Sequence, residues 1–274
     1  MISLSKTKRA LLCILIATAI CYTPSSKAEE SSFSLIQTSE LSVKGTYDVG
    51  LPLDGLTILL KNGTQIRLAQ IDIPDHFRPE PGQISSLAKE KLIEVLENGK
   101  VKIFHPSNPK FQVKNRLNQE ISHIQNNEGL WLQKELISNG LARVIPSPYL
   151  PQATTALLDF EQEAREKSLG LWEDPRYTLQ TPLSVKESAW EMQIIVGEVK
   201  KIATVKNNAY LNFGVNYKTD FTIQIDNALR REFSKSNIDI FKLQNKKVEV
   251  RGYVESFNGP LVKLESTAHL RVIE

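Results

Sequence analysis

The chain contains no cysteine beyond residue 28. Its two cysteines, Cys13 and Cys21, both lie in the N-terminal segment. Residues 29–274 therefore form no disulfide and carry no thiol, which excludes a disulfide-stapled scaffold and a cysteine nucleophile. With 41% hydrophobic residues in the chain, we expect stability to come from packed hydrophobic cores.

A hydrophobic run long enough to span a bilayer is also missing. The longest apolar run covers residues 10–22, whereas a membrane span takes ~20 residues. This run follows a basic segment at residues 6–9, and residues 26–28 are Ser-Lys-Ala, with small residues where signal peptidase selects them. We expect residues 1–28 to be a signal peptide and the mature chain to begin near Glu29, in the periplasm or outside the cell.

A lipoprotein signal is the alternative reading of the same segment. It would use Cys21 as the modified residue. The residue before Cys21 is the bulky Ile20, where lipidation motifs call for a small side chain. The cleaved signal peptide is the preferred interpretation.

A strong basic excess is absent once the signal peptide is set aside. The whole chain has 34 Lys and Arg against 31 Asp and Glu, a net charge of +3. Residues 29–181 hold 16 basic and 20 acidic residues, and residues 182–274 hold 14 and 11. Proteins that contact many phosphates usually carry a clear basic excess. The charge therefore weighs against strong nonspecific binding of nucleic acid by residues 29–181.

The mature chain is long enough for two domains of ~100–150 residues each. Residues 174–183 carry prolines and threonines between a helical pattern and a strand pattern, which is typical of a linker. We predict one domain over residues 29–181, called here the first half, and another over residues 182–274, called the second half.

The first half shows five short strand patterns, with a helix between the third and fourth. This order is typical of a small closed barrel of the oligonucleotide/oligosaccharide-binding (OB) type. The predicted strands are Leu41–Val49, Leu56–Lys61, Thr64–Ile71, Lys100–Phe104 and Glu120–Gln125, and the predicted helices are Gln83–Asn98, Trp131–Asn139 and Ala153–Ser168.

The second half repeats this β-rich pattern around one short helix. We therefore predict a mainly β fold with α-helices (α+β), made of two OB-type β-barrels in tandem. The predicted strands are Met192–Ala203, Ala209–Phe213, Asp220–Ile225, Lys246–Glu255, Leu261–Glu265 and His269–Ile273, and the predicted helix is Asn227–Phe233.

Four motifs follow one another at suitable spacings along the first half. They are Asp54-Gly55-x-Thr57, Arg67-Leu68-x-x-Ile71-Asp72-x-Pro74, Asn139-Gly140-Leu141-Ala142-Arg143-Val144, and Glu163-Ala164-Arg165 with Gly170-Leu171-Trp172. Together they resemble the staphylococcal nuclease (thermonuclease) family. The second half contains Tyr210-Leu211-Asn212-Phe213-Gly214, Asp220-Phe221-Thr222 and Val250-Arg251-Gly252-Tyr253. With these segments it resembles the carboxy-terminal extension of some exported bacterial thermonuclease-like proteins, and this second resemblance implies no chemistry.

The resemblance implies calcium-dependent phosphodiester hydrolysis. In that chemistry oxygen ligands hold the calcium ion, a carboxylate activates water, and two arginines stabilise the charge that grows on the phosphoryl oxygens. It makes Asp72 a metal ligand, Arg67 a phosphate-facing arginine, and Asp75 the water-activating residue. Leu56 stands where the family has its second metal carboxylate, and Gln119 stands at the second arginine.

These two departures predict a degenerate catalytic site, since loss of one preorganised donor commonly costs ~10²- to 10³-fold in rate. The working hypothesis is a protein that binds nucleic acid or another anionic polymer. One alternative is an active calcium-dependent endonuclease that uses Arg67, Asp72 and Asp75, with calcium as cofactor. Another is a periplasmic scaffold or interaction protein without a polymer ligand or a cofactor. For the site itself, the structural alternative is that Asp72 caps a loop and pairs with Arg67.

Aromatic residues with basic neighbours in the second half are the candidates for polymer contact. On an OB barrel this combination fits stacking of single-stranded bases. The alternative is that Phe213, Phe221 and Phe257 fill the barrel while the lysines solvate its loops. The candidate residues are Tyr210, Phe213, Tyr217, Lys218, Arg251 and Tyr253.

Overall fold

The computed structural model describes residues 33–273, apart from residues 35, 38, 75, 77–81, 98 and 187. The predicted signal peptide, residues 1–28, lies outside the described residues. So does Asp75, the predicted water-activating residue. No described helix is long and apolar enough to cross a membrane.

The first half contains a closed five-stranded barrel, as the strand pattern predicts. The strands follow the order β1-β2-β3-β6-β5, and β3 and β6 form its one parallel pair. Register shifts in β1 let this long strand pair with both β2 and β5. The strands are β1 (Leu41–Pro52), β2 (Thr57–Leu60), β3 (Gln65–Leu68), β5 (Lys100–Pro106) and β6 (Glu120–Asn126).

Two short strands and three helices pack on this barrel. Strands β4 (Ile71–Asp72) and β7 (Arg143–Val144) form a separate two-stranded sheet. The helices bury one face each against the barrel core, because their apolar residues recur at helical spacing. They are α1 (Gln83–Val95), α2 (Leu132–Ser138) and α3 (Pro151–Glu166).

Two glycines of the sequence motifs allow a close backbone approach after α2 and α3. Gly140 has φ +65° and Gly170 has φ +54°. A Cβ atom on Gly140 would lie 2.0 Å from the carbonyl oxygen of Leu169, and one on Gly170 would lie 2.3 Å from the carbonyl oxygen of Gly140. The amide of Leu171 donates to that same Gly140 oxygen at 2.8 Å. Both positions therefore need glycine for conformation and for space.

The second half forms a separate seven-stranded sheet with its own core. Strand β12 pairs with β8, β13 and β14, and β11 and β13 form its one parallel pair. The strands are β8 (Ser188–Glu198), β9 (Lys201–Val205), β10 (Asn208–Asn212), β11 (Thr222–Ile225), β12 (Lys247–Ser256), β13 (Pro260–Lys263) and β14 (Leu270–Val272); the helix α4 is Asn227–Lys235.

The strand order of the second half repeats that of the first barrel. Strands β8 and β9, separated by Val199 and Lys200, together take the position of β1, because β8 pairs with β12 and β9 pairs with β10. The sequence pattern predicts one strand here. The structure divides it where the amide of Val199 donates to Lys246 and that of Lys200 donates to Asn212. The chain thus changes its pairing partner at these two residues.

Candidate site in the first half and aromatic groove in the second

Arg67 and Asp72 lie in one charged cluster at the rim of the first barrel. Arg67 is on β3, opposite Thr57 of β2. Asp72 is on β4, and its carboxylate accepts a hydrogen bond from the guanidinium of Arg143 at 2.8 Å. Burial lowers the pKa of Arg67, while Asp54 and Asp72 oppose this change. Asp72 therefore pairs closely with Arg143, and its charge also acts on Arg67.

His76 belongs to the same cluster, which the sequence reasoning missed. Its Nε2 lies 3.7 Å from a carboxylate oxygen of Asp54 and 3.5 Å from a guanidinium nitrogen of Arg67. Its Nδ1 lies 3.0 Å from the hydroxyl of Ser85 on α1. Burial lowers the pKa of His76, and Asp54 opposes that effect. The only sequence signal is that His76 follows Asp72 in the same loop.

Leu56 is fully buried and belongs to the core of the first barrel. Its backbone amide donates to the carboxylate of Asp54 at 2.7 Å, so Asp54 closes the turn before β2. Gly55 is needed there, since a Cβ atom on it would lie 2.8 Å from Ile73. The position that the resemblance associates with a second metal carboxylate therefore holds an apolar side chain.

Gln119 is nearly buried among neutral amides. Its side-chain nitrogen donates to the side-chain amide oxygen Oε1 of Gln65 at 3.1 Å. Its own carbonyl oxygen accepts from Asn115 at 2.7 Å. The side-chain polar atoms of Gln119 thus have uncharged partners, and the position supplies no positive charge.

The described donors do not fit a calcium ion, which takes about six to eight oxygen ligands. Leu56 supplies none, and one oxygen of Asp72 is held by Arg143. Among the described residues, no group of three or more His, Cys, Asp or Glu side chains is arranged to hold a metal.

Of the second-half candidates, Tyr210 and Tyr217 line one groove of about 400 Å³ on the sheet. Phe257 lines it as well and is 58% exposed, so the expectation that Phe257 fills the barrel is wrong. Lys218 follows Tyr217 and is exposed. We call this surface the aromatic groove; its lining residues are Ala203, Val205, Lys206, Tyr210, Asn212, Tyr217, Thr222, Phe257, Asn258 and Leu261.

Phe213 does not reach this surface. It is buried, and its ring lies 5.0 Å from that of Phe221, measured between centroids. Both rings belong to the core of the second half. The prediction that Phe213 stacks on a ligand is corrected, because a ring packed inside the sheet has no face left for a base.

Arg251 is 2% exposed and cannot reach a polymer. Its guanidinium donates to Glu161 of α3 at 2.7 and 3.0 Å, to Glu249 at 2.9 and 3.1 Å, and to the carbonyl oxygen of Val144 at 2.9 Å. Burial would lower the pKa of Arg251, but the two carboxylates outweigh it and raise the pKa. The prediction of a phosphate contact at Arg251 is therefore corrected to a buried ion pair between the two halves.

Tyr253 does not line the aromatic groove. It is half-exposed and lies near the charged cluster of the first half. Burial raises the pKa of its phenol, and so does the charge of Asp72, whereas Arg143 and Arg67 lower it. The six predicted contact residues therefore divide between the groove, the core, the interface and this cluster.

The closed barrel with the inserted helix defines the class of the first half, which is an OB-type barrel. Residues 65–174 match the family described as Staphylococcal nuclease homologue. The chain thus carries a staphylococcal-nuclease-like domain, and this supports a nuclease-like or nucleic-acid-binding function. No curated protein matches the chain.

Proposed function

We propose that the protein is an exported thermonuclease-like protein that binds nucleic acid, or another anionic polymer, without calcium-dependent cleavage. The observation that carries this proposal is the complete burial of Leu56 in the barrel core. An apolar side chain there cannot ligate a hard cation, which takes oxygen ligands. The family match supplies the link to nucleic acid.

The remaining metal carboxylate is also engaged. Asp72 pairs with Arg143 at 2.8 Å, and the Arg143 side chain is 2% exposed. A calcium ion would have to compete with this guanidinium for the same oxygen, and the guanidinium would be left partly unpaired while buried. The ion pair therefore disfavours metal binding at Asp72.

The second departure from the family pattern, Gln119 in place of an arginine, affects stabilisation of the charge in the transition state. Gln119 contributes a neutral amide that is already bonded to Gln65 and Asn115. Absence of one preorganised donor typically costs ~10²- to 10³-fold in rate. The losses at residues 56 and 119 affect metal binding and charge stabilisation respectively, so each weakens a different part of the reaction.

The runner-up function is a calcium-dependent endonuclease that uses Arg67, Asp72 and Asp75. It is favoured by the position of Arg67 and Asp72 in one cluster at the barrel rim. A scaffold protein without a polymer ligand is the third candidate. Retention of single-stranded DNA separates binding from scaffolding, and calcium-dependent products separate the enzyme from both.

The test restores the missing groups in the full-length mature chain. Leu56→Asp with Gln119→Arg should raise calcium-dependent cleavage of single-stranded DNA, and either change alone should gain less, because both act on one transition state. Leu56→Asp alone should lower Tm, since it buries a carboxylate, and added calcium should recover part of the loss.

Leu68→Asp is the matched control, because Leu68 is equally buried in the same barrel core. It should lower Tm without recovery by calcium. Cleavage by the unaltered chain that both chelation and Asp72→Ala abolish would show that the proposal is wrong and that the endonuclease is the function.

A further inference from the structure

The aromatic groove is formed by three loops and by the strands that these loops join. Its first wall is the turn Lys206-Asn207 between β9 and β10, where both residues have positive φ, 49° and 71°. This two-residue turn reverses the chain tightly enough for Val205 to pair with Asn208. Lys206 of this turn lines the groove.

A close backbone contact sets the opposite wall. Gly259 has φ +87°, and a Cβ atom on it would lie 2.5 Å from the backbone of Thr219. The turn between β12 and β13 therefore packs directly on the loop that carries Tyr217. This contact places Phe257 and Tyr217 beside the same groove, although forty residues separate them along the chain.

The groove lies where OB barrels hold extended ligands. By comparison with the first barrel, β9, β10, β12 and β13 correspond to the first, second, fourth and fifth strands. The turn at 206–207 joins β9 to β10, and the turn at 257–259 joins β12 to β13. Tyr210 and Thr222 come from the second and third strands. The strand 2–3 face and these two loops are the surface on which OB folds bind oligonucleotides and oligosaccharides.

The side chains of this surface are unusually apolar for an exposed site. Tyr217 is 61% exposed and Phe257 is 58% exposed. Val205, beside them, is also exposed. Clustered exposed apolar groups mark an interaction surface, whereas single ones do not. The concave shape and the two aromatic rings suit planar bases better than a flat protein face.

The charge around the groove favours an anionic ligand. Lys206 is the one charged residue among its lining residues. Lys206 and Lys218 form no salt bridge with any carboxylate in the part of the chain that the structure describes. The neighbouring Asp220 turns its carboxylate to the backbone amide of Asn216 at 2.7 Å, within its own loop. The one charged side chain that lines the groove is therefore positive.

We infer that the aromatic groove binds single-stranded nucleic acid. Bases stack on the rings of Tyr217 and Phe257, while Lys206 and Lys218 contact the phosphates. The inference rests on the proposed function, which it deepens by naming the ligand class and the surface. It requires no catalysis and no metal ion.

The test uses the full-length mature chain and fluorescein-labelled oligodeoxythymidine of ~16 nucleotides, the upper end of the OB site size, with binding followed by anisotropy. Tyr217→Ala and Phe257→Ala should each raise Kd by ~5- to 150-fold, as expected for one stacked base. Phe241→Ala is the control, because Phe241 is 50% exposed in the same half but does not line the groove. It should leave Kd unchanged.

The lysine variants test the electrostatic part. Lys206→Ala should reduce the dependence of log Kd on log salt by ~0.7, the value for one phosphate contact on a single strand. Lys242→Ala, an exposed lysine outside the groove, should not alter this slope. Circular dichroism of each variant confirms that its fold is retained.

Three results would overturn the inference, and each points to a different explanation. If the unaltered chain binds DNA and the groove variants bind equally well, the groove is not the site and the proposed function stands. If the unaltered chain binds no DNA, both fall. Groove-dependent binding to phosphatidylcholine–phosphatidylglycerol vesicles, or groove-dependent dimerisation in sedimentation, without DNA binding, would identify a membrane surface or a second copy as the occupant.

Discussion

Replacing Arg251 by methionine should destabilise the protein strongly, because this change keeps an unbranched side chain but removes the guanidinium group and its charge. Arg251 holds the buried carboxylates of Glu161 and Glu249 together at hydrogen-bond distances of 2.7 to 3.1 Å. Removing one partner of a buried ion pair typically costs 3–5 kcal/mol. Arg165 still contacts both carboxylates, so we expect a value near the lower end, about 3 kcal/mol.

The assay is thermal unfolding of a protein that comprises residues 29–274. For chains of about 150–250 residues, 1 kcal/mol changes Tm by ~2–4 °C. A loss of about 3 kcal/mol should therefore lower Tm by ~6–12 °C. Arg231→Met, at an exposed arginine of the same half, is the control and should change Tm little. An equal and small effect of both variants would refute the reasoning.

The same ion pair predicts a pH dependence. Burial would raise the pKa of Glu249, but Arg251, Arg165 and Arg271 outweigh it and lower the pKa to about 2. A carboxyl whose pKa is lower in the folded state stabilises the fold above its unfolded pKa of about 4.5, and this stability is lost as the pH falls towards 2. The contribution is about 3 kcal/mol, and Arg251→Met should reduce it, while Arg165 and Arg271 remain beside Glu249.

Three further outcomes are expected. Burial lowers the pKa of His123 to about 3, so the unfolded state binds one more proton than the folded state below pH 6.5. The free energy of unfolding, measured with urea, should therefore fall by about 1.4 kcal/mol per pH unit between pH 6 and 4. A His123→Gln variant should lack this part of the pH dependence. Gly140→Ala should lower Tm by several degrees, because its Cβ would meet the carbonyl oxygen of Leu169; an unchanged Tm would contradict the steric argument. The mature protein should begin at or near Glu29, and amino-terminal sequencing that found an acylated Cys21 would overturn the proposed cleavage.

The fold was predictable because its signals are local. Short β patterns predicted the strands of the first barrel, and the helical spacing of α1 to α3 predicted the helices, mostly within a few residues of their observed bounds. The strand predicted over residues 64–71 is divided into β3 and β4. The motif glycines were informative for a physical reason, since Gly140 and Gly170 meet backbone to backbone. A close backbone contact of this kind requires glycine, so the residue type alone indicates it.

The side-chain environments were less predictable because they depend on distant partners. The residues next to Arg251 in the sequence do not indicate that it is buried. Its partner Glu161 lies on a helix ninety positions earlier. Phe213 and Phe257 both follow a strand, yet one packs on Phe221 and the other lines the groove. Neither burial nor exposure is encoded in the neighbours of these residues along the chain.

The proposed loss of cleavage and the proposed binding of nucleic acid can be tested together. The measurement is the Kd of the full-length mature chain for single-stranded DNA with calcium and with a chelator, followed by a denaturing gel of the recovered DNA. Binding without a metal requirement predicts the same Kd in both conditions and DNA of full length. DNA shortened only when calcium is present would contradict the account.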